Sequence, residues 1–341
     1  MSPLISIIIP MRNEELRIGA CLDSIAESTY PLSDCEVLVV DNGSTDRSCI
    51  IVRNKLKTFP SAQLFHNPKS GVPAGLNLAI NKAKGRFIVR MDAHCEYQRD
   101  YISICIAELE RTGAANVGGL LLTLPGRSTW VSRCIALISQ HPVGIGNAAF
   151  RLGTGNRFVD TVPFGAFRRE IFEVVGLYRE DLRRNQDFEL NARIRSAGYR
   201  IYLSSKVKTK YYNSEKLTKF LEQAILNGEG AARSWMFNPQ SFCWRHSAPL
   251  LCLVTWLILL ILSLCCHPVR LVFDVYNLLY IVALIFASIQ IAVCNNWRHI
   301  FLVPFIIALY HVCYGISTGV GGVKSIIAWR AVQVRENIKS T

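Results

Sequence analysis

Leu4-Ile5-Ser6-Ile7-Ile8-Ile9-Pro10-Met11-Arg12-Asn13-Glu14 sets the pattern from which the fold is read: a short apolar run that breaks into polar, chemistry-capable residues. The same order recurs three times before residue 100. Glu36 to Val40 runs into Asp41-Asn42-Gly43-Ser44-Thr45-Asp46, Gln63 to Phe65 into His66-Asn67-Pro68-Lys69, and Arg86 to Met91 into Asp92-Ala93-His94. Runs this short, rich in Ile, Val and Leu, read as strands buried on both faces. Between them the apolar spacing turns helical. Ile18, Cys21, Leu22 and Ile25 precede a stop at Pro31, and Cys49, Ile50, Val52 and Leu56 form a second face with Ser44 or Thr45 as its expected cap. A third helix is expected from about Pro73 to Ala83 with Gly85 as its left-handed stop. A fourth follows Asp100 and ends at Gly113. Strand and helix in alternation mean an α/β fold with a mostly parallel, Rossmann-like sheet and right-handed crossovers. Such sheets bind ligands at the carboxyl ends of their strands, so the four polar tails should line one edge.

Downstream, Asn116 to Leu122 reads as a strand and Trp130 to Ser139 as a short helix, followed by a mobile glycine-rich loop from Gly144 to Gly155. Helices are expected over Arg169 to Val175 and Asp187 to Ala197, the latter stopped by Gly198. Ser214 to His246 mixes Leu217, Phe220, Leu221, Ile225 and Trp235 with Lys216, Lys219 and Arg233. This is the pattern of an amphipathic interfacial helix, or equally of an ordinary packing helix.

Composition changes abruptly near Ser247. Three apolar stretches follow, about Pro249 to Cys266, Leu271 to Cys294 and Ile300 to Val320, each near the roughly 20 residues that a membrane-crossing helix needs. The expected organisation is a catalytic domain over 1–212, an amphipathic linker over 213–247, two to three transmembrane helices over 248–320 and a basic tail over 321–341. Three crossings would place the tail's Lys324, Arg330, Arg335 and Lys339 outside, against the positive-inside tendency. The third stretch, with Pro304, His311, Gly315 and Gly319, is therefore a candidate re-entrant or interfacial segment. Met1-Ser2-Pro3-Leu4 leads almost directly into a strand without a secretory signal, so the site-bearing domain is expected in the cytoplasm. The twelve cysteines show no zinc-finger spacing and read as small hydrophobes in a reduced compartment. The net charge of +13 brings no recognition helix or aromatic platform, which argues against nucleic acid.

The strand ends carry the chemistry. Asp41 closes the second strand, where Rossmann-like domains place an acid on nucleotide ribose, yet no Gly-x-Gly-x-x-Gly follows the first strand. Asp92 and His94, on alternate residues after the fourth strand, are a candidate ligand pair for Mg²⁺ or Mn²⁺ bridging a diphosphate. Asp187 opens an amphipathic helix and reads equally as an N-cap or as a general base.

Ser6 to Glu15, Val39 to Asp46, Arg90-Met91-Asp92-Ala93-His94 and Asn185-Gln186-Asp187 together resemble the successive signatures of family-2 inverting glycosyltransferases. Within that family the chain is most similar to the bacterial succinoglycan-biosynthesis type, whose pattern is also matched by Ala74-Gly75-Leu76-Asn77, Asp160-Thr161-Val162 and Gly165 to Glu170. The resemblance implies a GT-A fold and a nucleotide-sugar donor, usually a UDP-sugar. It places Pro10, Arg12, Asn13, Glu14 and Asp41 at the nucleoside, Asp92 and His94 at metal and diphosphate, Gly165 and Ala166 beside donor sugar and acceptor, and Asp187 as base. The implied reaction is one in-line displacement with inversion. A cytoplasm-facing domain anchored in a bacterial inner membrane, extending a lipid-linked saccharide for a surface or exopolysaccharide, is the expected function. A catalytically silent nucleotide-binding scaffold is the alternative. Three positions depart from the family: Gln186 replaces the usual Glu, Pro163-Phe164 stands where histidines are common, and Arg233-Ser234-Trp235 only partly echoes the Gln-x-x-Arg-Trp of processive synthases. Single additions are expected rather than polymerisation.

Overall fold

The structure is a computed structural model that describes residues 4–153, 155–182 and 184–340, without the side chains of 328, 329 and 331–340. Met1-Ser2-Pro3 and the side chains of Arg335 and Lys339 lie outside the described residues. By its contacts the chain forms two compact units, residues Met1–Leu122 with Ala149–Tyr212, and Thr123–Ala148 with Asn213–Thr341.

In the first unit, strands β1 (Ile5–Met11), β2 (Cys35–Asp41), β3 (Ala62–His66) and β4 (Phe87–Arg90) alternate with helices α1 (Ile18–Ala26), α2 (Ser48–Lys55) and α3 (Val72–Lys82). Then follow β5 (Cys95–Tyr97), α4 (Tyr101–Thr112) and β6 (Asn116–Leu124). Helices α5 (Trp130–Ile138) and α6 (Pro142–Ile145) belong to the second unit. The chain returns through α7 (Ala149–Leu152), β7 (Arg157–Val159), β8 (Gly165–Arg168), α8 (Ile171–Val175), α9 (Gln186–Ser196) and β9 (Ile201–Tyr212). The sheet order is β3-β2-β1-β4-β8-β6-β9-β5, with β7 on β9. The β3-β2-β1-β4 half is parallel, and β8 joins it antiparallel through β4. The fold is GT-A, an α/β sheet parallel where the four runs predict it and mixed beyond.

Residue alternation explains why those runs are continuously apolar. Ile5, Ile7 and Ile9 pack with α1 and α4 on one face, while Ile8, Leu38 and Val40 pack with α3, α8 and α9 on the other. Burying one such side chain is worth about 1.5–3 kcal/mol, so this parallel half is the rigid base of the edge above it.

Several local expectations are corrected. Helix α2 starts at Ser48 with no side-chain cap, because Ser44 is engaged by the loop after β1. Helix α3 ends with Ala83 extended, and Gly85 is not left-handed. Gly85 is required instead by close approach, since a Cβ there would lie 2.5 Å from the Ser6 amide. Gly113 does adopt the left-handed stop, φ 64°. The stretch expected to be a loop from Gly144 to Gly155 takes in the end of the one-turn helix α6 and all of the one-turn helix α7. Within the expected 1–212 domain, Thr123–Ala148 groups with the second unit because α5 buries Cys134, Ile135 and Ile138 there.

That second unit adds α10 (Leu217–Phe237), α11 (Trp244–Cys265), α12 (His267–Cys294) and α13 (His299–Ser340). Phe220 and Ala224 of α10, Leu284 and Ile291 of α12, and Val303 and Ile307 of α13 share its core with α5. Among the described residues three helices are long and apolar enough to cross a membrane: Trp244–Cys265, His267–Cys294 and His299–Ile327.

Candidate active site

The register of the parallel half brings the polar tails together. Met11 pairs with Asp41 and Asp41 with His66, so β1, β2 and β3 end level. Pro10 lies past the last β1–β4 pair, Ile8 with Arg90, so its missing N–H leaves no ladder bond to β4 unmade.

Above this level the loops after β1 and β2 are stitched by polar groups. Asn13 takes a left-handed φ of 55°, which Asn tolerates better than most residues. Its amide donates to Ser44 Oγ at 2.9 Å and its Oδ1 accepts from the Thr45 amide at 2.8 Å. The Glu14 amide donates to Ser48 Oγ at 2.7 Å and the Glu15 amide to Asp46 Oδ2 at 3.1 Å. Beneath them Asn67 Nδ2 donates to Asn42 Oδ1 at 2.7 Å, both side chains being buried. Asp41 accepts from the Ser44 amide at 3.0 Å and faces His66 Nδ1 at 3.5 Å. Burial alone would raise its pKa, but hydrogen bonds from Ser44, Cys49 and His66 outweigh it and hold the carboxyl below its ordinary value. Asp41 is thus an ionised acceptor beside a preformed loop, with Arg12 exposed at the loop's outer side.

The second corner is built from buried charge. Arg90, the last residue of β4, is only 2% exposed. Its Nε donates to Asp92 Oδ1 at 3.1 Å, and its terminal nitrogen donates to Asp187 at the start of α9. One guanidinium therefore joins the acid expected at the metal to the acid expected as base. Phe164 and Tyr178 place their rings 5.7 and 5.6 Å from it. Phe164 holds a positive φ of 57°, strained for a bulky residue and of the kind that collects at functional sites. Its neighbour Gly165, φ 101°, pairs directly with Arg90, and Ala166 pairs with Val89. Both expected sugar-border residues therefore lie beside Arg90.

Helix α9 is held so that Asp187 meets that cation. Asn185, in the left-handed region, occupies the N-cap position, so Asp187 is not the cap. One turn along from Asp187, Asn191 accepts from Asn116 at 2.9 Å and donates to Thr161 Oγ1 at 2.8 Å. Burial pushes the Asp187 carboxyl up to about 6, against the lowering pull of Arg90, while Asp92 adds to the rise. Gln186 is buried, and its Oε1 has no hydrogen-bond partner among the described residues.

His94 Nδ1 faces Glu14 Oε1 at 3.1 Å, and its ring meets Tyr211 edge-on at 5.1 Å. Burial disfavours charge on this ring, yet the hydrogen bond and charge of Glu14, with Asp92 behind them, raise its pKa. Among the described residues no cluster of three or more metal-ligating side chains occurs. The donor set of Asp92 and His94 still fits Mg²⁺ or Mn²⁺ of the kind that nucleotide sites bind, where one or two protein ligands suffice and phosphates complete the shell. Asp92 keeps a second oxygen and His94 its Nε2 beyond the contacts with Arg90 and Glu14.

Arg90 was not singled out by sequence reasoning. Its signal was present: a charged residue closing an apolar strand two positions before Asp92, on the same side of the chain.

The sheet thus carries an ionised acid and a preformed loop at one corner, and a carboxylate–arginine–carboxylate bridge at the next. The Glycosyl transferase family 2 description matches residues 6–176, and the chain belongs to that family. It is 30% identical to succinoglycan biosynthesis protein ExoA of Rhizobium meliloti over 72% of this chain and 74% of that one. It is 27% identical to a dolichyl N-acetyl-α-D-glucosaminyl phosphate 3-β-D-2,3-diacetamido-2,3-dideoxy-β-D-glucuronosyltransferase of Methanococcus voltae, over 92% and 96%. A mannosyltransferase of Pyrobaculum calidifontis, solved with GDP-Man and Mn²⁺, shares the fold with TM-score 0.61 at 20% identity, over 92% and 87% of the two chains. The protein is a glycosyltransferase.

Proposed function

We propose that this glycosyltransferase inverts the anomeric centre of a nucleotide-sugar, a UDP-sugar, as it moves the sugar to a lipid-linked saccharide at the cytoplasmic face of the cell membrane. The observation that carries the reading is the Arg90 bridge, because it sets a carboxyl of pKa about 6 beside the acid expected at the diphosphate. A base must be ionised at working pH yet basic enough to take a hydroxyl proton, and that value meets both demands.

In the displacement, Asp187 takes the acceptor hydroxyl proton as that oxygen bonds to the anomeric carbon. The bond from that carbon to the phosphate oxygen breaks, and the nucleoside diphosphate leaves with the electron pair. A divalent cation held at Asp92 and His94 would neutralise charge on that leaving group. The loop from Pro10 to Glu14 and Asp41 hold the nucleoside, and Gly165 and Ala166 leave room for donor sugar and acceptor. Reaction from one side of an α-linked donor gives a β-glycoside. The lipid-linked acceptor is supported by the Methanococcus relative's name and by the three apolar helices, and a surface polysaccharide by the Rhizobium relative's name.

The test is transfer from a panel of radiolabelled UDP- and GDP-sugars to membrane lipid extracts by the full chain in detergent or proteoliposomes. Mass spectrometry of the product gives sugar, linkage and anomer. A retained anomer, or full activity in a folded Asp187→Asn protein, would sink the mechanism. Nucleotide binding with no turnover on any donor would favour a silent scaffold.

A further inference from the structure

Away from the catalytic edge, the first unit holds a cavity of about 410 Å³ lined by Arg86, Arg168, Arg169, Glu170 and Glu173. Its place follows from the strands. Arg86 directly precedes β4 and Arg168 closes β8, and the antiparallel register pairs Phe87 with Arg168 at one end and Arg90 with Gly165 at the other. Four residues of strand, about 13 Å, therefore separate Arg86 from Arg90. The cavity lies at the far end of the same strand pair from the catalytic edge.

Local structure holds the arginines there. The Arg169 amide donates to the Arg86 carbonyl at 2.9 Å, one step past the Phe87–Arg168 pair. A terminal nitrogen of Arg168 donates to the Leu109 carbonyl at 3.1 Å. The guanidiniums of Arg86 and Arg168 lie 5.3 and 5.9 Å from the Phe87 ring, so two cations share one aromatic side chain. Helix α8 and its N-cap supply the acids. Ile171 and Phe172 are buried in the core, which leaves Glu170 and Glu173, three residues apart, exposed on one side.

Elsewhere in this unit Arg111, Arg179 and Arg193 each pair with a carboxylate. Among the described residues Arg86, Arg168 and Arg169 have no carboxylate at ion-pair distance, although two acids line the same cavity. Three cations thus converge without a fixed counter-ion, and an entering anion relieves their mutual repulsion. Guanidinium forks match the oxygens of a phosphate. The volume exceeds the need of a bare ion and falls within the roughly 300–1,000 Å³ of small-molecule sites. Glu170 and Glu173 add acceptors for hydroxyl groups, and their charge favours one phosphate over a diphosphate. We propose that this cavity binds a small hydroxylated phosphate monoester of the sugar-phosphate class, its phosphate on the three arginines and its hydroxyls on Glu170 and Glu173. The site is separate from the donor site and rests on none of the roles proposed for Asp92, His94 or Asp187.

Isothermal titration of the full chain in non-ionic detergent, with UDP and Mg²⁺ present in excess to fill the catalytic edge, tests the assignment. Of glucose 6-phosphate, mannose 6-phosphate and glucose 1-phosphate, at least one should bind saturably and more tightly than inorganic phosphate. Arg86→Gln and Arg169→Gln should each weaken that binding by roughly 10- to 100-fold, with the melting temperature of the free chain unchanged. Glu170→Gln combined with Glu173→Gln should tighten inorganic phosphate and narrow its gap to the sugar ester. Arg86→Lys covers a glutamine variant that melts early: it keeps the charge and loses the fork, so binding should still weaken, and full retention counts against the site. The proposal is overturned by no binding of any ester, by unchanged affinity in both arginine variants, or by dihexanoyl phosphatidate binding as tightly as the best ester. Failure of UDP to bind in the same titrations would count against the proposed donor and leave the monoester result standing.

Discussion

The two corners of the catalytic edge reach rigidity by opposite means. The corner proposed for the nucleoside, at the ends of β1 to β3, is stitched mainly by backbone amides and neutral side chains, each bond short and individually modest. The corner proposed for the chemistry, at the end of β4, depends on one buried guanidinium shared by two carboxylates. Distributed neutral bonds degrade gradually, at about 0.5–1.5 kcal/mol each. A shared buried charge fails as a unit, because removing one partner leaves the others unpaired at a cost of about 3–5 kcal/mol. The contrast teaches which substitutions should abolish transfer and which should only weaken the donor.

The largest effect is expected from Asp187→Asn, which should lower kcat by roughly 10²- to 10⁴-fold with nucleotide affinity retained, read by transfer assay and UDP titration. Arg90→Met should come next, losing both transfer and thermal stability. Because Arg90 lowers the Asp187 pKa, a weaker Arg90→Lys variant should move the acid limb of the pH–rate profile upward. An unmoved limb would separate Arg90 from the base. In the unmodified chain, kcat/KM should fall as pH drops through about 6, where Asp187 takes up its proton. Stability has the opposite slope. Between the ordinary 3.8 and about 6 the folded chain holds a proton that the unfolded chain has released, so this group's contribution is lost as pH rises through that window. Chemical denaturation at several pH values checks the sign.

Chelation should abolish transfer, with Mn²⁺ or Mg²⁺ restoring it, and His94→Ala should raise the metal concentration needed for half-activity. Gln186→Glu, which sets a second carboxylate beside Asp187, should raise the acid limb further. The smallest effect belongs to the neutral corner. Asn13→Ala should raise the donor KM several-fold and leave kcat near its starting value, and a kcat loss comparable to that of Asp187→Asn would erase the distinction between the corners.

Much of this contrast was legible in the sequence, for identifiable reasons. Parallel strands covered on both faces must be apolar throughout, so Leu4 to Ile9 and Glu36 to Val40 announced both their type and their polar ends. Asp41, Asp92 and His94 followed from position at those ends. Asp187 was ambiguous because cap and base favour the same residue type at the same place; the structure gives the cap position to Asn185 and sets Asp187 against Arg90. Arg90 escaped notice because its role depends on a partner 97 residues away. The capping role expected of Ser44 failed for the same reason, since its partner is Asn13, on another loop. The placement of Thr123–Ala148 with the apolar helices was invisible because α5 has an ordinary amphipathic pattern that does not specify its partner.

One contact joins the two corners: Glu14, in the nucleoside loop, holds Nδ1 of His94. On the proposed function, a donor that settles on this loop would also steady the imidazole beside the diphosphate, so that the first substrate to arrive prepares the place where the second reacts. The expected kinetic consequence is a compulsory order, donor before acceptor. Product inhibition should show it, with the free nucleoside diphosphate competing with the donor and acting noncompetitively toward the acceptor. In Glu14→Gln, whose neutral amide holds the ring less firmly, that order should relax toward random addition.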